Sequence, residues 1–317
     1  MVRKIRENKF AVALLAILLL GPLVAHADQE SAVGASDTEI RIGNMPYTGP
    51  LAAFATIGKA EAAYFDMIND NGGINGRKIK FISYDDSSKP ATAVELTRRL
   101  VETEKVLLMF GSFATPSNHA TRSYLNDRKI PQLFVASGDQ EFSDPSEFPW
   151  TMGWQPTFRS EGRIYANYIQ SFYSERKIAV LWQDDQFGRD LLRGLQEGLG
   201  DSQRMTPTRR STRPILLRST QYYPDGDKDD SNATSGYAAA ETMVHVLSQC
   251  GNDLSGENVM RQSASLRGYQ NSLLLPNISI NTAAVDFHPI KQMRLVQFDG
   301  SAWQPIGECI RRQQRGG

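Results

Sequence analysis

The 317-residue chain lacks any excess of charge, since 35 Lys and Arg stand against 35 Asp and Glu. A nucleic-acid binder needs a basic stripe to neutralise phosphates, so the balance leaves no electrostatic footprint for that class. Histidine is scarce: His26, His119, His245 and His288 are the full set of 4, and none stands in a catalytic spacing. G-x-S-x-G elbows, H-E-x-x-H helices and glycine-rich phosphate loops are all missing, which removes the usual carriers of nucleophilic, metal-assisted and phosphoryl-transfer chemistry. Ser137 has no assignable base. The expectation is a protein that is not an enzyme and uses no cofactor or metal. The 2 cysteines, Cys250 and Cys309, leave two readings open: one disulfide in an oxidising compartment, or two separate buried thiols. No repeat of fixed period runs through the chain.

Only one long apolar run is present, at residues 10–24. Arg3, Lys4, Arg6 and Lys9 precede it, and Ala25, His26 and Ala27 follow it in the small-x-small order of a cleavage site. That pattern reads as a secretory signal over residues 1–27, and the run is short for a permanent membrane span. Removing it takes away four basic residues and Glu7, which leaves a mildly acidic exported chain of about −3 formal charge. A chain of this length is expected to make two domains, and two lobes leave a cleft.

Beyond the signal, strands and helices alternate. Strand patterns at residues 39–43, 78–84, 106–110 and 130–135 are separated by helical spacing at 57–69, 91–104 and 118–126, with Gly72 and Gly73 placed to end the first helix. Such alternation predicts a parallel, doubly wound sheet, whose ligands bind outside the carboxyl ends of the strands. Two of those ends are rich in hydroxyls: Thr115 and Ser117 follow one strand, and Ser137 and Gly138 follow the next. Together with N–H groups at a helix start, they suit a small carboxylate, although strand-end Ser and Thr also commonly cap helices. Asp85 and Asp86 read as caps in the same way.

Farther on, residues 161–174 read as a helix, 177–182 as a strand, and 187–199 as a helix. Then the pattern breaks. Residues 202–224 hold no Asp or Glu, while Arg204, Arg209, Arg210, Arg213 and Arg218 are mixed with Thr, Ser and Pro. Either this is a basic surface linker, or a stretch of the chain has been cut out. Regular patterning resumes with an amphipathic helix at 235–249 closed by Gly251, a further helix at 253–266, and late strands at 280–282 and 293–298. Asp299 and Gly300 supply a hairpin turn after the last of these. Carboxylates at 225–230 alternate as in a calcium loop, but Asp230 and Gly236 stand where such a loop needs Gly and Glu, so a solvated turn is expected.

Taken in order, PYTGP at 46–50, NGGINGR at 71–77, YDD at 84–86 and GSFATPS at 111–117 resemble the periplasmic branched-chain amino-acid binding proteins that feed ABC importers. The resemblance covers residues 38–200 and resumes over 222–310. It implies an α/β, type I periplasmic-binding-protein fold of two doubly wound parallel-sheet lobes, the second incomplete. Residues 28–156 and 222–275 would form the first lobe, 157–200 and 276–310 the remnant of the second, and 201–221 an irregular basic junction. In the family, several strand and helix units would stand at that junction, about 80–100 residues at ~30 per unit.

By the same resemblance, Thr115, Ser117, Ala136, Ser137 and Gly138 fall at ligand-contacting positions, and Phe54 and Phe187 where aromatic rings cover the ligand side chain. Core packing is the ordinary alternative for any Phe. The acidic residue that would meet a ligand ammonium, and a further aromatic, fall in the missing stretch; Asp139 is near the cleft, but no motif marks it as a replacement. The implied role is a periplasmic receptor for amino acids or similar small carboxylates. It would present its closed form to ABC permease subunits, touching the membrane only through them. Loss of much of lobe two is expected to impair it. The alternative is a non-transporting exported remnant or interaction domain without ligand.

Overall fold

The computed structural model describes residues 33–46, 54–182, 184–200, 230–300 and 302–311. The expected signal at 1–27, the basic junction at 201–221 and most of the calcium-like run lie outside them. A five-stranded sheet organises the fold: β1 (Glu39–Asn44), β2 (Lys78–Ser83), β3 (Leu108–Phe110), β4 (Gln132–Val135) and β5 (Thr151–Gly153), in the spatial order β2-β1-β3-β4-β5. Every pairing within it is parallel. Strand order therefore reverses between β1 and β3, and the crevice of a doubly wound sheet opens at the carboxyl ends of those two strands.

Side chains alternate across the sheet as the period of two requires. Leu108 and Phe110 point into one buried cluster with α1 (Ala55–Asp70), α6 (Ser231–Gln249) and α7 (Gly256–Ser263), while Met109 points into another with α2 (Pro90–Glu102) and α3 (Thr115–Asp127). Phe65, Phe110 and Phe134 form a chain of ring contacts with centroids 5.5 and 6.2 Å apart. Each of these fully buried rings contributes about 1.5–3 kcal/mol through the water it sheds. Ile278, Ile280, Phe287 and Ile290 join this same cluster, so the chain after α7 wraps back onto the first sheet.

The expected elements up to β4 are present with ends shifted by at most three residues. Gly72 and Gly73, both at positive φ, follow α1. Register in β4 slips between Gln132 and Val135, and Phe134 sits at φ +53, a bulge of the kind that re-aims a strand end beside a functional site.

Past β5 the fold becomes partial. Two helices, α4 (Phe158–Tyr173) and α5 (Gln186–Leu199), are capped by Thr157, whose hydroxyl accepts the Ser160 N–H, and by Asp185, whose carboxylate accepts that of Gly188. Glu197 of α5 takes Arg159 and Arg163 of α4 at once, a two-guanidinium clamp. The segment at 177–182, expected as a strand, is not one: it makes at most an isolated bridge, and Leu181 and Trp182 are 53% and 38% exposed. Among the described residues no parallel strand lies beside it, and a lone strand leaves its N–H and C=O groups without a ladder. The expected strand at 280–282 is likewise a single bridge between Tyr269 and Ile280. β6 (Gln292–Phe298) and β7 (Trp303–Arg311) pair as an antiparallel hairpin apart from the main sheet, turning at Asp299 and Gly300.

Cys250 is a free, buried thiol that donates to the Val246 carbonyl at 3.3 Å. Burial pushes its pKa up to about 12, so it stays a thiol at physiological pH. The side chain of Cys309 lies outside the described residues.

Candidate functional site

At the carboxyl ends of β1, β3 and β4 lies a cleft of about 400 Å³, within the range of small-molecule sites. Six of the seven residues expected to contact ligand line it: Phe54, Thr115, Ser117, Ala136, Ser137 and Phe187. Gly138 does not. A Cβ at Gly138 would fall 2.7 Å from the Phe158 ring and 2.8 Å from the Pro156 carbonyl, and the Gly138 carbonyl accepts the Phe158 N–H at 2.8 Å. Its lack of a side chain is what seats Phe158 at the cleft wall.

The polar floor is built by two loops. Thr115 Oγ1 and Ser137 Oγ share a hydrogen bond of 2.7 Å, and Ser137 Oγ accepts the Asp139 N–H at 3.2 Å. Ser117 is fully buried, yet its Oγ has no partner among the described residues. All three hydroxyls stand at or beside the start of α3, whose first-turn N–H groups have no intrahelical acceptor. Pro116 occupies the first turn, where its missing N–H costs nothing, and Ala114 holds φ +81 at the cap. A positive φ in a non-glycine residue is strained, and here it turns the chain from β3 into the helix start that faces the cleft.

Two aromatic pairs supply the apolar lining. Phe54 stacks on Phe113 with centroids 4.7 Å apart, and Phe158 meets Phe187 edge to face, also at 4.7 Å. One pair comes from the loops of the first sheet, the other from the starts of α4 and α5. Phe113, Phe158, Gln155, Asn232 and Ser235 also line the cleft and were not expected from the sequence. Phe113 sits inside the hydroxyl-rich turn and was the one within reach; Asn232 and Ser235 come from α6, which is distant in sequence from the sheet ends it covers.

Below the cleft, the backbone of Gly111, at φ +61, packs directly against the Glu61 carboxyl, so that any side chain there would collide with it. Glu61 Oε2 accepts from Asn44 Nδ2 at 3.2 Å, and Oε1 has no partner among the described residues. Burial raises its pKa well above the ordinary carboxylate range, favouring the neutral acid. Asp139 is buried beside the cleft but does not line it; its carboxylate meets His119 Nε2 at 2.9 Å and accepts the Glu141 N–H at 3.0 Å. Asp190 of α5 lies nearby, and burial, with the Asp139 charge second, raises its pKa. Asp85 and Asp86 accept N–H bonds from Ser87 and Ser88 at 2.8 and 2.9 Å, as turn caps do. Among the described residues no group of three or more His, Cys, Asp or Glu is placed to hold a metal ion.

The model of the family described as "Periplasmic binding protein" matches residues 39–203, just over half of the chain. The chain belongs to that family. Its fold is that of type I periplasmic binding proteins, with a partial second lobe. An "Amino acid binding protein" of Pseudomonas aeruginosa is 27% identical over 193 residues, covering 58% of this chain and 46% of that protein. The "Leu/Ile/Val-binding protein" of Escherichia coli K12 is 26% identical over 189 residues, covering 57% and 48%. This periplasmic binding protein thus spans about half the length of the curated relatives it matches. Among solved structures, a branched-chain amino acid ABC transporter protein from Thermus thermophilus with bound valine aligns at a TM-score of 0.71 and 14% identity, covering 88% of this chain and 97% of that one.

Proposed function

We propose that this chain is the exported, periplasmic substrate-binding subunit of an ABC importer for amino acids or similar small carboxylates, weakened by loss of part of lobe two. The Thr115 and Ser137 hydroxyl pair carries the reading: with the buried, unpartnered Ser117 hydroxyl and the start of α3, it offers donors to a carboxylate at the switch point of the sheet. Phe54, Ala136 and Phe187 would contact the ligand body, and Gly138 would act through Phe158. Residues 28–156 and 222–275 are assigned to lobe one, 157–200 and 276–310 to the remnant of lobe two, and 201–221 to a junction left by an internal deletion.

Among the described residues nothing in the cleft pairs a nucleophile with a base, which favours binding over catalysis: Thr115 and Ser137 bond each other, and His119 does not line the cleft. The partners are permease subunits, which present the only contact with the membrane; nucleic acid is not among them. Closure around ligand is driven by contacts made to both lobes at once. A partial lobe two therefore lowers affinity, and an ammonium buried without its carboxylate costs about 3 kcal/mol or more, at least a hundredfold.

Isothermal titration with leucine, isoleucine and valine is expected to give a Kd above about 10 μM, and a submicromolar Kd refutes the weakening. The second reading, an exported remnant with no ligand, is favoured by one observation: the exposed segment at 177–182, which has no strand beside it among the described residues. A thermal-shift screen of small carboxylates separates the two, because ligand raises the melting temperature of a receptor by mass action and leaves a remnant unmoved.

A further inference from the structure

The electrostatics of the cleft are set by helix starts. Ile57 from the first turn of α1, Thr115 from α3, Phe158 from α4, Phe187 from α5 and Asn232 from α6 all line it. Each helix start carries roughly half a positive charge from its unpaired N–H groups; carboxylates of Glu161, Asp185 and Asp230 offset it at α4, α5 and α6, while α1 and α3 have no acid in their first turns, so those two ends make the cleft a better place for an anion than for a cation. The lining contains no Lys, Arg or His among the described residues, and one acid, Asp185. That carboxylate caps α5 by accepting the Gly188 N–H at 3.1 Å, which spends its charge on the positive end of the helix. Asp86 is held by Ser88 N–H and Asp139 by His119, and neither lines the cleft.

An α-amino acid brings a carboxylate that this site suits and an ammonium that it does not, because a charge moved out of water needs a partner. Beside the uncharged Ser88, Gln155, Asn232 and Ser235, most of the rest of the lining is apolar. Phe54 and Phe113 on one side, Phe158 and Phe187 on the other, offer ring faces and edges to which an aromatic ligand stacks better than a branched aliphatic one. The unpartnered Ser117 hydroxyl, buried and facing the cleft, is a donor that a carboxylate oxygen would satisfy.

We infer that the cleft takes an aromatic monocarboxylate without an ammonium group in preference to an amino acid. This rests on the reading above that the cleft is a small-carboxylate site. The test is isothermal titration of the purified chain with two matched pairs, 3-phenylpropanoate against L-phenylalanine and 4-methylpentanoate against L-leucine, with 2-phenylethylamine as the cationic control. The inference expects 3-phenylpropanoate to bind at least tenfold more tightly than L-phenylalanine and more tightly than 4-methylpentanoate, with no heat from the amine. Phe187→Ala and Ser117→Ala should each weaken 3-phenylpropanoate, and circular dichroism confirms that each variant is folded. If either amino acid binds as tightly as its deaminated partner, or the amine binds, the inference is overturned while the small-carboxylate reading stands. If 4-methylpentanoate equals 3-phenylpropanoate, the aromatic preference is overturned. Silence from every carboxylate overturns both.

Discussion

Thr115 and Ser137 show how much one pair of hydroxyls is asked to do. Each holds the other at 2.7 Å, and Ser137 also takes the Asp139 N–H, so the pair is oriented before any ligand arrives. Removing one hydroxyl forfeits a hydrogen bond worth about 0.5–1.5 kcal/mol net. Thr115→Ala is therefore expected to weaken carboxylate binding roughly three- to tenfold and to lower the melting temperature by about 2–4 °C, as titration and a thermal melt on the same sample would show. Glu61 is a second residue with a measurable signature. Its buried carboxyl has a pKa raised above the unfolded value, so the folded state holds its proton longer, and stability falls as pH rises from about 4.5 towards the folded pKa. Glu61→Gln keeps the shape and removes the titration. The variant should melt ~2–4 °C higher than the parent at pH 7 and lose the decline above pH 4.5; an unchanged melt at pH 7 would contradict the neutral-acid assignment.

Among the elements, the first four strands and first three helices were legible because each carries a complete local signal: period-two runs, periodic apolar faces, and Gly or Pro at the joints; the three-residue β5 is too short to show one. The segment at 177–182 had the same apolar composition and still failed, since a strand is defined by its neighbour, and composition says nothing about whether a neighbour exists. Phe158 escaped notice for a related reason. Its place at the cleft depends on Gly138 leaving room for its ring, a contact between residues 20 apart that no spacing rule encodes. The helix pair α4 and α5 is held by the Glu197 clamp, and the hydrogen bond from Arg159, opposed by burial and reinforced by Arg163, pulls the Glu197 pKa to about 2. A depressed carboxylate pKa contributes stability that is present above its ordinary value near 4.5 and is lost as pH falls towards 2. Glu197→Gln should cost about 1–2 kcal/mol at pH 7, screened because the clamp is partly exposed, and should flatten the acid limb of a pH melt between 4.5 and 2.

At the level of the whole molecule, the described residues form one five-stranded parallel sheet, beside which stand the helix pair α4 and α5 and the β6–β7 hairpin. The five-stranded sheet supplies the hydroxyl floor of the cleft, while the helix pair lends Phe158 and Phe187 to its wall, so a cleft stands beside a partial lobe. The residues that line it come from both sides of the 201–221 stretch, which is why the sequence could supply the floor but not the α6 contribution of Asn232 and Ser235. Whether the chain closes over a ligand is a question about the partial lobe alone. Among the described residues, the ribbon at 177–182, with Leu181 and Trp182 turned to water and no more than an isolated bridge to hold its amides, is open to attack. Brief digestion with chymotrypsin should nick there ahead of any site in the five-stranded sheet, and amide hydrogens along it should trade for deuterium within seconds while those of β1 and β3 persist.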